Sequence, residues 1–330
     1  MEANQKIFLE QVKNFIEQTA ARKDWLYIFS PCSIGDFFYN GGLSHAVQAR
    51  KNKSATVLVV KERMKNLHVT YKNFAQILYV PEETMNAVQN YFYLTADYEA
   101  ENYIYGHFAR AASGGYIWDE NLHLIDRYKK NIFSVPLDTQ YVTPIVEKIS
   151  PAEEAELARR YTIDKNKTVI ISPYVHSTKQ IPMAFWENLA LQLKIRGCIV
   201  YTNVDGFSEN PVAGTEPITT SFPQLYFISD KIKCFLGSRN GVFDFLAMTP
   251  AKLLNINPFP DWLWDVSLLY PQINNRTFYN AAEYIKPVAE YFSNSGVVAN
   301  ISLSHAKINP DNVFFDYDAL LREILKEASV

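Results

Sequence analysis

Cysteine is scarce in this sequence. Its 330 residues include three cysteines, Cys32, Cys198 and Cys234, which lie far apart and form no Cys-x-x-Cys pair. An odd number of cysteines at such spacing suggests neither a disulfide framework nor a zinc site. We therefore expect the protein to reside in a reducing compartment.

A large charge excess and long apolar runs are missing as well. The formal net charge is −3 at pH 7, whereas a general nucleic-acid binder needs a large basic excess. No segment approaches the ~20 apolar residues that span a bilayer. Residues 1–20 predict an amphipathic helix without the unbroken apolar core of a signal peptide. We expect a cytoplasmic protein that binds no nucleic acid.

Charge is nevertheless unevenly distributed along the chain. Residues 50–72 contain seven basic residues and one acidic residue, whereas residues 73–109 contain five acidic residues and no Lys or Arg. Such runs are usually solvated surface. A second interpretation is a basic rim that faces an anionic lipid or glycan, which would give the protein a peripheral contact with the inner membrane.

The composition is that of a folded protein, with 48% hydrophobic and 14% aromatic residues. The length favours two domains, each able to bury its own core. We predict domains at residues 1–150 and 151–330, with a linker near 140–166. Ser150, Pro151 and Glu153 predict a capped helix there that runs to about Tyr161.

Short β-rich runs alternate with helical patterns in both halves, which predicts an α/β fold with parallel sheets. In the N-terminal half we predict strands at 25–29, 56–60 and 76–80, a helix near 43–50, and mostly helix over 91–112. In the C-terminal half we predict strands at 168–172, 198–202, 234–236 and 252–256, and helices at 183–196, 222–229, 241–248 and 317–328.

The first segment with chemical potential follows the first strand and contains Gly35 and Asp36. Ligands of parallel sheets bind at the carboxyl ends of strands, and glycine there allows close backbone approach. A carboxylate at that edge can act as a general base on a sugar hydroxyl. The alternative is that Asp36 only caps the following helix, which is the commoner use of Asp after a turn.

The second segment follows the strand predicted at 168–172. Ser177, Thr178 and Lys179 precede a helix, so hydroxyl donors, a cation and a helix dipole could together hold a diphosphate. An ordinary solvated lysine fits equally well. His176 has no partner at metal-ligand spacing, and we predict no metal site.

The third segment, Ser238, Arg239, Asn240, Gly241 and Asp244, again joins a strand to a helix. A turn of small residues exposes backbone N–H groups to phosphate, and the guanidinium group of an arginine can donate two parallel hydrogen bonds to it. A carboxylate can accept hydrogen bonds from ribose hydroxyls. The alternative is a strand–helix turn with Asn240 as the N-cap.

In this order, the segments resemble the ADP-heptose:lipopolysaccharide heptosyltransferase family and its GT-B-fold relatives. Ile34-Gly35-Asp36 matches the first loop of the family, Lys179 with Phe185-Trp186 matches the second strand–loop–helix, and Gly214-Thr215 matches a segment before the last motif. In that last motif Gly241 is kept, but Arg239 and Asp244 stand where the family has Asp and His. ADP-heptose is therefore not assumed as the donor.

The resemblance implies two facing Rossmann-like domains, with a C-terminal helix predicted to follow them. The donor, a nucleoside-diphosphate sugar, would bind the C-terminal domain, and a glycan or glycolipid acceptor would meet Gly35 and His45 in the N-terminal one. The resemblance further implies an inverting hexosyl or heptosyl transfer in surface polysaccharide synthesis. This transfer would need neither a metal ion nor a cofactor, and Asp36 and Lys179 would be its catalytic residues. The alternatives are a sugar-nucleotide epimerase of the same fold and a non-catalytic nucleotide- or glycan-binding protein.

Overall fold

A computed structural model describes residues 3–31, 33–107, 124–175, 181–205, 208–238, 240–257, 297–302, 321–322, 324–326 and 328. The chain divides into two compact units. Unit 1 comprises Met1–Asp119 with Ile125–Glu147, and unit 2 comprises Glu120–Leu124 with Lys148–Val330. Within the described ranges, no helix is long and apolar enough to cross a membrane.

Unit 1 is a parallel sheet with helices in its crossovers. Its elements are α1 (Ala3–Thr19), β1 (Trp25–Ser30), α2 (Ile34–Arg50), β2 (Ala55–Lys61), a 3₁₀ helix (Glu62–Leu67), β3 (Val69–Thr70), β4 (Phe74–Val80), α3 (Glu82–Thr95), β5 (Tyr103–Tyr105), α4 (Leu124–Arg127) continued by a π turn (Tyr128–Ile132), and β6 (Ile145–Val146). The main sheet has the order β4-β2-β1-β5, and every pair in it is parallel. The short β3 and β6 pair antiparallel.

The core of unit 1 lies against both faces of this sheet. In β1, the residues from Leu26 to Ser30 are all buried, as expected of a central strand covered on both sides. On one face, α1 and α3 contribute Ile16, Val88 and Phe92 to the apolar cluster. Helices α1 and α3 therefore cover this face of the sheet.

Two predictions for unit 1 need correction. The helix predicted near 43–50 begins at Ile34, and the low helix propensity of Gly35, Gly41 and Gly42 conceals its first half. The helix predicted over 91–112 is wrong, because α3 ends at Thr95 and Tyr103–Tyr105 is a buried strand beside β1. Aromatic and β-branched residues favour such a strand. Residues 108–112 lie outside the described part.

Unit 2 is also a parallel α/β sheet. Its elements are α5 (Pro151–Arg160), β7 (Thr168–Ser172), α6 (Met183–Ile195), β8 (Ile199–Asn203), β9 (Glu216–Ile218), α7 (Phe222–Ile228), β10 (Cys234–Ser238), α8 (Gly241–Leu246), β11 (Leu253–Asn257) and β12 (Val297–Ser302). The sheet order is β12-β11-β10-β7-β8-β9, and all five pairs are parallel. This is a doubly wound, Rossmann-like order.

The predicted helices and strands of unit 2 that lie in the described ranges begin and end within two residues of the observed ones. The capping box of α5 is confirmed, with Ser150 Oγ accepting from Glu153 N and Glu153 Oε2 accepting from Ser150 N. The edge strand β9 escapes prediction because Pro217 interrupts its pattern. Of the predicted terminal helix, the described residues 321–322 and 324–326 are helical, and the remainder lies outside the described part.

Candidate functional site

Each sheet has one switch point, where the crossover connections of two neighbouring strands lead away in opposite directions. In unit 1 this point lies between β1 and β5, and in unit 2 between β7 and β10. Open α/β sheets bind ligands in the crevice at the carboxyl ends of the strands that flank such a point. We call these two places the unit 1 edge and the unit 2 edge. All three segments singled out from the sequence follow strands that end at one of them.

At the unit 1 edge, the side chain of Asn40 joins the ends of β1 and β5. Its Nδ2 donates to Ser30 Oγ at 2.7 Å and to the carbonyl oxygen of Gly106 at 2.8 Å. A Cβ at Gly106 would come within 2.4 Å of Asn40 Oδ1, so only glycine permits this approach. Asn40 is fully buried, and no described group lies within hydrogen-bond reach of its Oδ1.

Asp36 lies in the first turn of α2 and is 4% exposed. It caps the helix as one of the two sequence interpretations predicts: Oδ2 accepts from Ser33 N at 2.9 Å and from Ser33 Oγ at 2.7 Å. The other oxygen, Oδ1, accepts a hydrogen bond from the hydroxyl of Tyr128. Capping therefore accounts for only one of the two carboxylate oxygens.

His107 and Tyr128 belong to the same edge and were not found from the sequence. His107 follows β5, and burial lowers its pKa although the charge of Asp36 opposes that shift. A neutral imidazole near neutral pH follows. Recognition of β5 as a strand would have placed His107 at the edge, but Tyr128 is 92 residues from Asp36 and carries no local signal.

Gly35 and His45, the residues predicted for the acceptor, both lie on α2. Gly35 is buried beside Asp36 in the first turn. His45 is nine residues beyond Asp36, which at roughly 100° per residue places it about half a turn round the helix. Burial lowers the pKa of His45, partly offset by a hydrogen bond with the backbone of Gly42. The helix thus brings Gly35, but not His45, to the side of Asp36.

At the unit 2 edge, Asn240 has the corresponding position. It is the N-cap of α8, as the second interpretation of that segment predicts, and its Oδ1 accepts from Val242 N at 3.0 Å and Phe243 N at 3.1 Å. Its Nδ2 donates to the carbonyl oxygen of Tyr174 at 3.0 Å and, at 3.4 Å, to Ser172 Oγ. The turn after β10 is thereby tied to the end of β7.

Close backbone packing accompanies this tie. A Cβ at Gly237 would meet the carbonyl oxygen of Ser172 at 2.4 Å and the ring of Phe243 at 2.8 Å. Ser238 is fully buried, and no described atom is a hydrogen-bond partner for its Oγ. Buried hydroxyl groups usually have a hydrogen-bond partner in native folds, so Ser238 Oγ can bond to a ligand at this edge.

The other residues predicted to bind the donor are less well defined. Gly241 begins α8, and Asp244 in its first turn is 4% exposed. Ser177, Thr178, Lys179 and Arg239 lie outside the described residues. In the described part of the chain, no group of three or more His, Cys, Asp or Glu side chains could hold a metal ion.

A cavity of about 380 Å³ lies at the opposite edge of the unit 2 sheet. Its lining includes Lys165, Lys233 and Lys252, which precede β7, β10 and β11. These are the amino-terminal ends of the strands, whereas ligands of such sheets bind at the carboxyl ends. We therefore do not assign this cavity to the donor.

Most basic residues of the stretch 50–72 have acidic partners within unit 1. Glu99 pairs with Arg50 at 2.6 Å and with Lys51 at 2.8 Å, and Glu82 pairs with Lys61 at 3.0 Å and with Arg63 at 3.7 Å. Two further pairs are Lys53 with Glu101 and Lys65 with Glu62. Six of the seven basic residues thus have acidic partners, which supports the ordinary interpretation of this stretch as surface charge.

Comparisons with known proteins give matches in structure and none in sequence. No protein-family model matches the chain, and no curated protein matches it. The structure of ADP-heptose LPS heptosyltransferase II from E. coli is similar over 92% of this chain and 98% of that one, at 12% identity and a TM-score of 0.50. The crystal structure of the glycosyl transferase family 9 from Veillonella parvula DSM 2008 is similar over 92% of this chain and 95% of that one, at 11% identity and a TM-score of 0.56. The chain therefore has the GT-B fold of these transferases, as the resemblance of its motifs implies.

Proposed function

We propose that this protein is a glycosyltransferase that moves a sugar from a nucleoside-diphosphate sugar to a hydroxyl of a glycan or glycolipid. The observation that carries the proposal is the fold, which is similar over 92% of the chain to two sugar-transferring proteins. The segments singled out from the sequence follow strands that flank the switch points of the two sheets, where ligands of this architecture bind.

The chemistry assigned to unit 1 is proton removal by Asp36. Among the described residues, three hydrogen bonds to its carboxylate are seen, and an ionised carboxylate has about four acceptor positions. We assign the remaining position at Oδ1 to the hydroxyl of the acceptor. The proton of that hydroxyl passes to Asp36 as the oxygen attacks the anomeric carbon from the side opposite to the diphosphate. The bond from the anomeric carbon to the diphosphate breaks, its electron pair leaves with the diphosphate, and the configuration inverts.

The donor is assigned to the unit 2 edge. Ser238 supplies a buried hydroxyl that has no hydrogen-bond partner among the described residues, and Asn240 holds the turn against the end of β7. Lys179 and Arg239, with the hydroxyls of Ser177 and Thr178, are proposed to neutralise the departing diphosphate in place of a metal ion. Gly241 and Asp244 complete the predicted nucleotide site.

Two experiments test the proposal. A thermal-shift panel of ADP, UDP, GDP and CDP should raise Tm for at least one nucleotide, since a ligand that binds only the folded state stabilises it by mass action. With the sugar derivatives of that nucleotide, Asp36→Asn should abolish nucleoside diphosphate release while binding is kept. Asp24→Asn, an exposed carboxylate of the same unit, serves as the control. EDTA should leave the rate unchanged.

The capping role of Asp36 favours one alternative, a non-catalytic protein that binds nucleotides or glycans. In that case the carboxylate is required only for the start of α2. Asp36→Asn would then lower Tm, and neither the wild type nor the variant would release nucleoside diphosphate. Full activity in Asp36→Asn would contradict the proposed base, and the absence of a thermal response to any nucleotide would contradict the proposed transferase.

A further inference from the structure

The carboxylate of Asp36 is held by two hydroxyl groups from different parts of unit 1. Ser33 precedes α2 and donates from both its backbone nitrogen and its side chain to Oδ2. Tyr128 lies in the π turn after α4 and donates to Oδ1. The first contact is made between residues three positions apart, so it forms whenever the helix begins there. The second exists only because the fold brings α4 to this edge.

We propose that Tyr128 is a positioning residue for Asp36 in the transfer reaction, on which this inference rests. Its hydroxyl fixes the rotation of the carboxylate about the Cβ–Cγ bond and occupies one acceptor position of Oδ1. The remaining acceptor position of Oδ1 then points in one fixed direction. The hydroxyl of the acceptor approaches from that direction when Asp36 removes its proton. The proton of Tyr128 stays on its own oxygen throughout.

The surroundings of Tyr128 suit this role. Its side chain is fully buried, and its ring packs on Tyr39 at 4.8 Å between centroids and on Phe133 at 6.1 Å. The backbone is fixed as well, because Phe133 N donates to the carbonyl oxygen of Tyr128 at 2.9 Å across the π turn. Single π turns occur frequently at functional sites. A hydroxyl on so rigid a ring holds its partner more firmly than a mobile surface residue could.

A helix cap alone does not require this contact. The capping box is complete with Ser33 and Asp36, as it is with Ser150 and Glu153 at the start of α5. At α5 the capping carboxylate is exposed on the surface, whereas Asp36 is buried and also accepts the hydroxyl of Tyr128.

The test compares Tyr128→Phe with Tyr141→Phe. Tyr141 donates its hydroxyl to the carbonyl oxygen of Phe38 at 2.7 Å, so both variants lose one hydroxyl that bonds to α2, but only one of these bonds involves Asp36. Nucleoside diphosphate release is measured with the nucleotide sugar chosen by thermal shift. We expect Tyr128→Phe to lower kcat about 10- to 100-fold, the loss typical of a misplaced catalytic group, with the donor KM within about twofold of the wild type. Tyr141→Phe should keep the kcat of the wild type.

A crystal structure of Tyr128→Phe provides a readout that does not depend on activity. The carboxylate of Asp36 should turn away from its wild-type orientation, while Ser33 still caps α2. An unmoved carboxylate or equal kcat values in the two variants would overturn the inference. If instead the wild type and Asp36→Asn release nucleoside diphosphate at equal rates, the proposed base is wrong. The crystal structure of Tyr128→Phe then still decides whether Tyr128 orients Asp36.

Discussion

The side chain of Asn240 donates to the carbonyl oxygen of Tyr174 at a distance of 3.0 Å. These residues follow β10 and β7, the two strands that flank the switch point of unit 2. The same side chain caps α8 through its oxygen. One residue therefore sets the start of a helix and the spacing of two strand ends.

The two functions of Asn240 can be separated by substitution. Asn240→Ala removes both, and we expect a loss of about 1 to 2 kcal/mol in the free energy of unfolding, as for other N-caps. Asn240→Asp keeps an oxygen that can accept from Val242 N and Phe243 N but loses the donor to Tyr174. It should therefore cost less stability, while its negative charge weakens nucleotide binding. Urea unfolding and the nucleotide-dependent rise in Tm measure the two effects. Equal stability losses in both variants would contradict this division.

Gly237 is expected to tolerate no side chain. Its added Cβ would meet the backbone oxygen of Ser172 at 2.4 Å, and backbone atoms cannot move aside as a flexible side chain can. Gly237→Ala should cost about 1 to 3 kcal/mol of stability by overpacking and should weaken nucleotide binding.

The control for Gly237→Ala is Gly197→Ala in the same unit. At Gly197 the space is open and φ is +83°, so the cost is the left-handed backbone penalty of roughly 1 to 2 kcal/mol. This variant should bind nucleotide as the wild type does. A normal nucleotide response in Gly237→Ala would show that the approach of β10 to β7 is irrelevant to binding.

Alkaline pH should destabilise the protein through buried groups that resist ionisation. Burial raises the pKa of Cys234 from 9.0 to about 12. Burial and Asp97 also raise the pKa of Tyr91 to about 12, and burial raises that of Tyr71 well above its ordinary value. The unfolded chain releases these protons at lower pH than the folded one, so stability falls as pH rises above about 9. Cys234 alone contributes at most about 1.4 kcal/mol per pH unit.

Urea unfolding between pH 7 and 11 measures this fall. The thiol itself gives an independent check, since at pH 8 the native Cys234 is protonated and iodoacetamide should label it only after unfolding. Cys234→Ala should flatten the alkaline limb. A free energy of unfolding that stays unchanged up to pH 11 would contradict the assigned burial. Rapid labelling of native Cys234 would contradict it as well.

Features of this fold were predictable from sequence where the determining contacts are local. Ser150 and Glu153 are three residues apart, and their capping box was correctly predicted. The run of Val169, Ile170 and Ile171 likewise indicates a strand covered on both faces. The helical prediction failed over Tyr103–Tyr105 because the identity of that strand depends on its pairing with β1.

The candidate site was predictable only in part for the same reason. Asp36 and Asn240 follow strands, and their positions after those strands were enough to single them out. Tyr128 reaches Asp36 across 92 residues, a separation at which a single sequence holds no signal. The roles of Lys179 and Arg239 stay predictions.

The charge distribution of unit 1 yields a last prediction. Glu99 and Glu82 each pair with two residues of the basic stretch, so these acidic partners lower the positive charge that attracts an anionic membrane. In sedimentation with vesicles of 30% phosphatidylserine at about 0.15 M salt, the wild type should remain in the supernatant. The double variant Glu82→Gln, Glu99→Gln removes an acidic partner from four basic side chains and should pellet measurably, since each basic residue contributes up to about 1 kcal/mol near such a surface.

The matched control changes an equal charge in unit 2. Glu156 pairs with Arg159 on the exposed side of α5, and Glu154 lies in the first turn of the same helix. Glu154→Gln, Glu156→Gln alters the net charge by the same two units without touching the basic stretch, so its vesicle binding should equal that of the wild type. Salt-sensitive pelleting of the wild type would show instead that the basic stretch faces a membrane despite its acidic partners. Equal pelleting of both double variants would assign the effect to net charge, which would remove the ion pairs from the explanation.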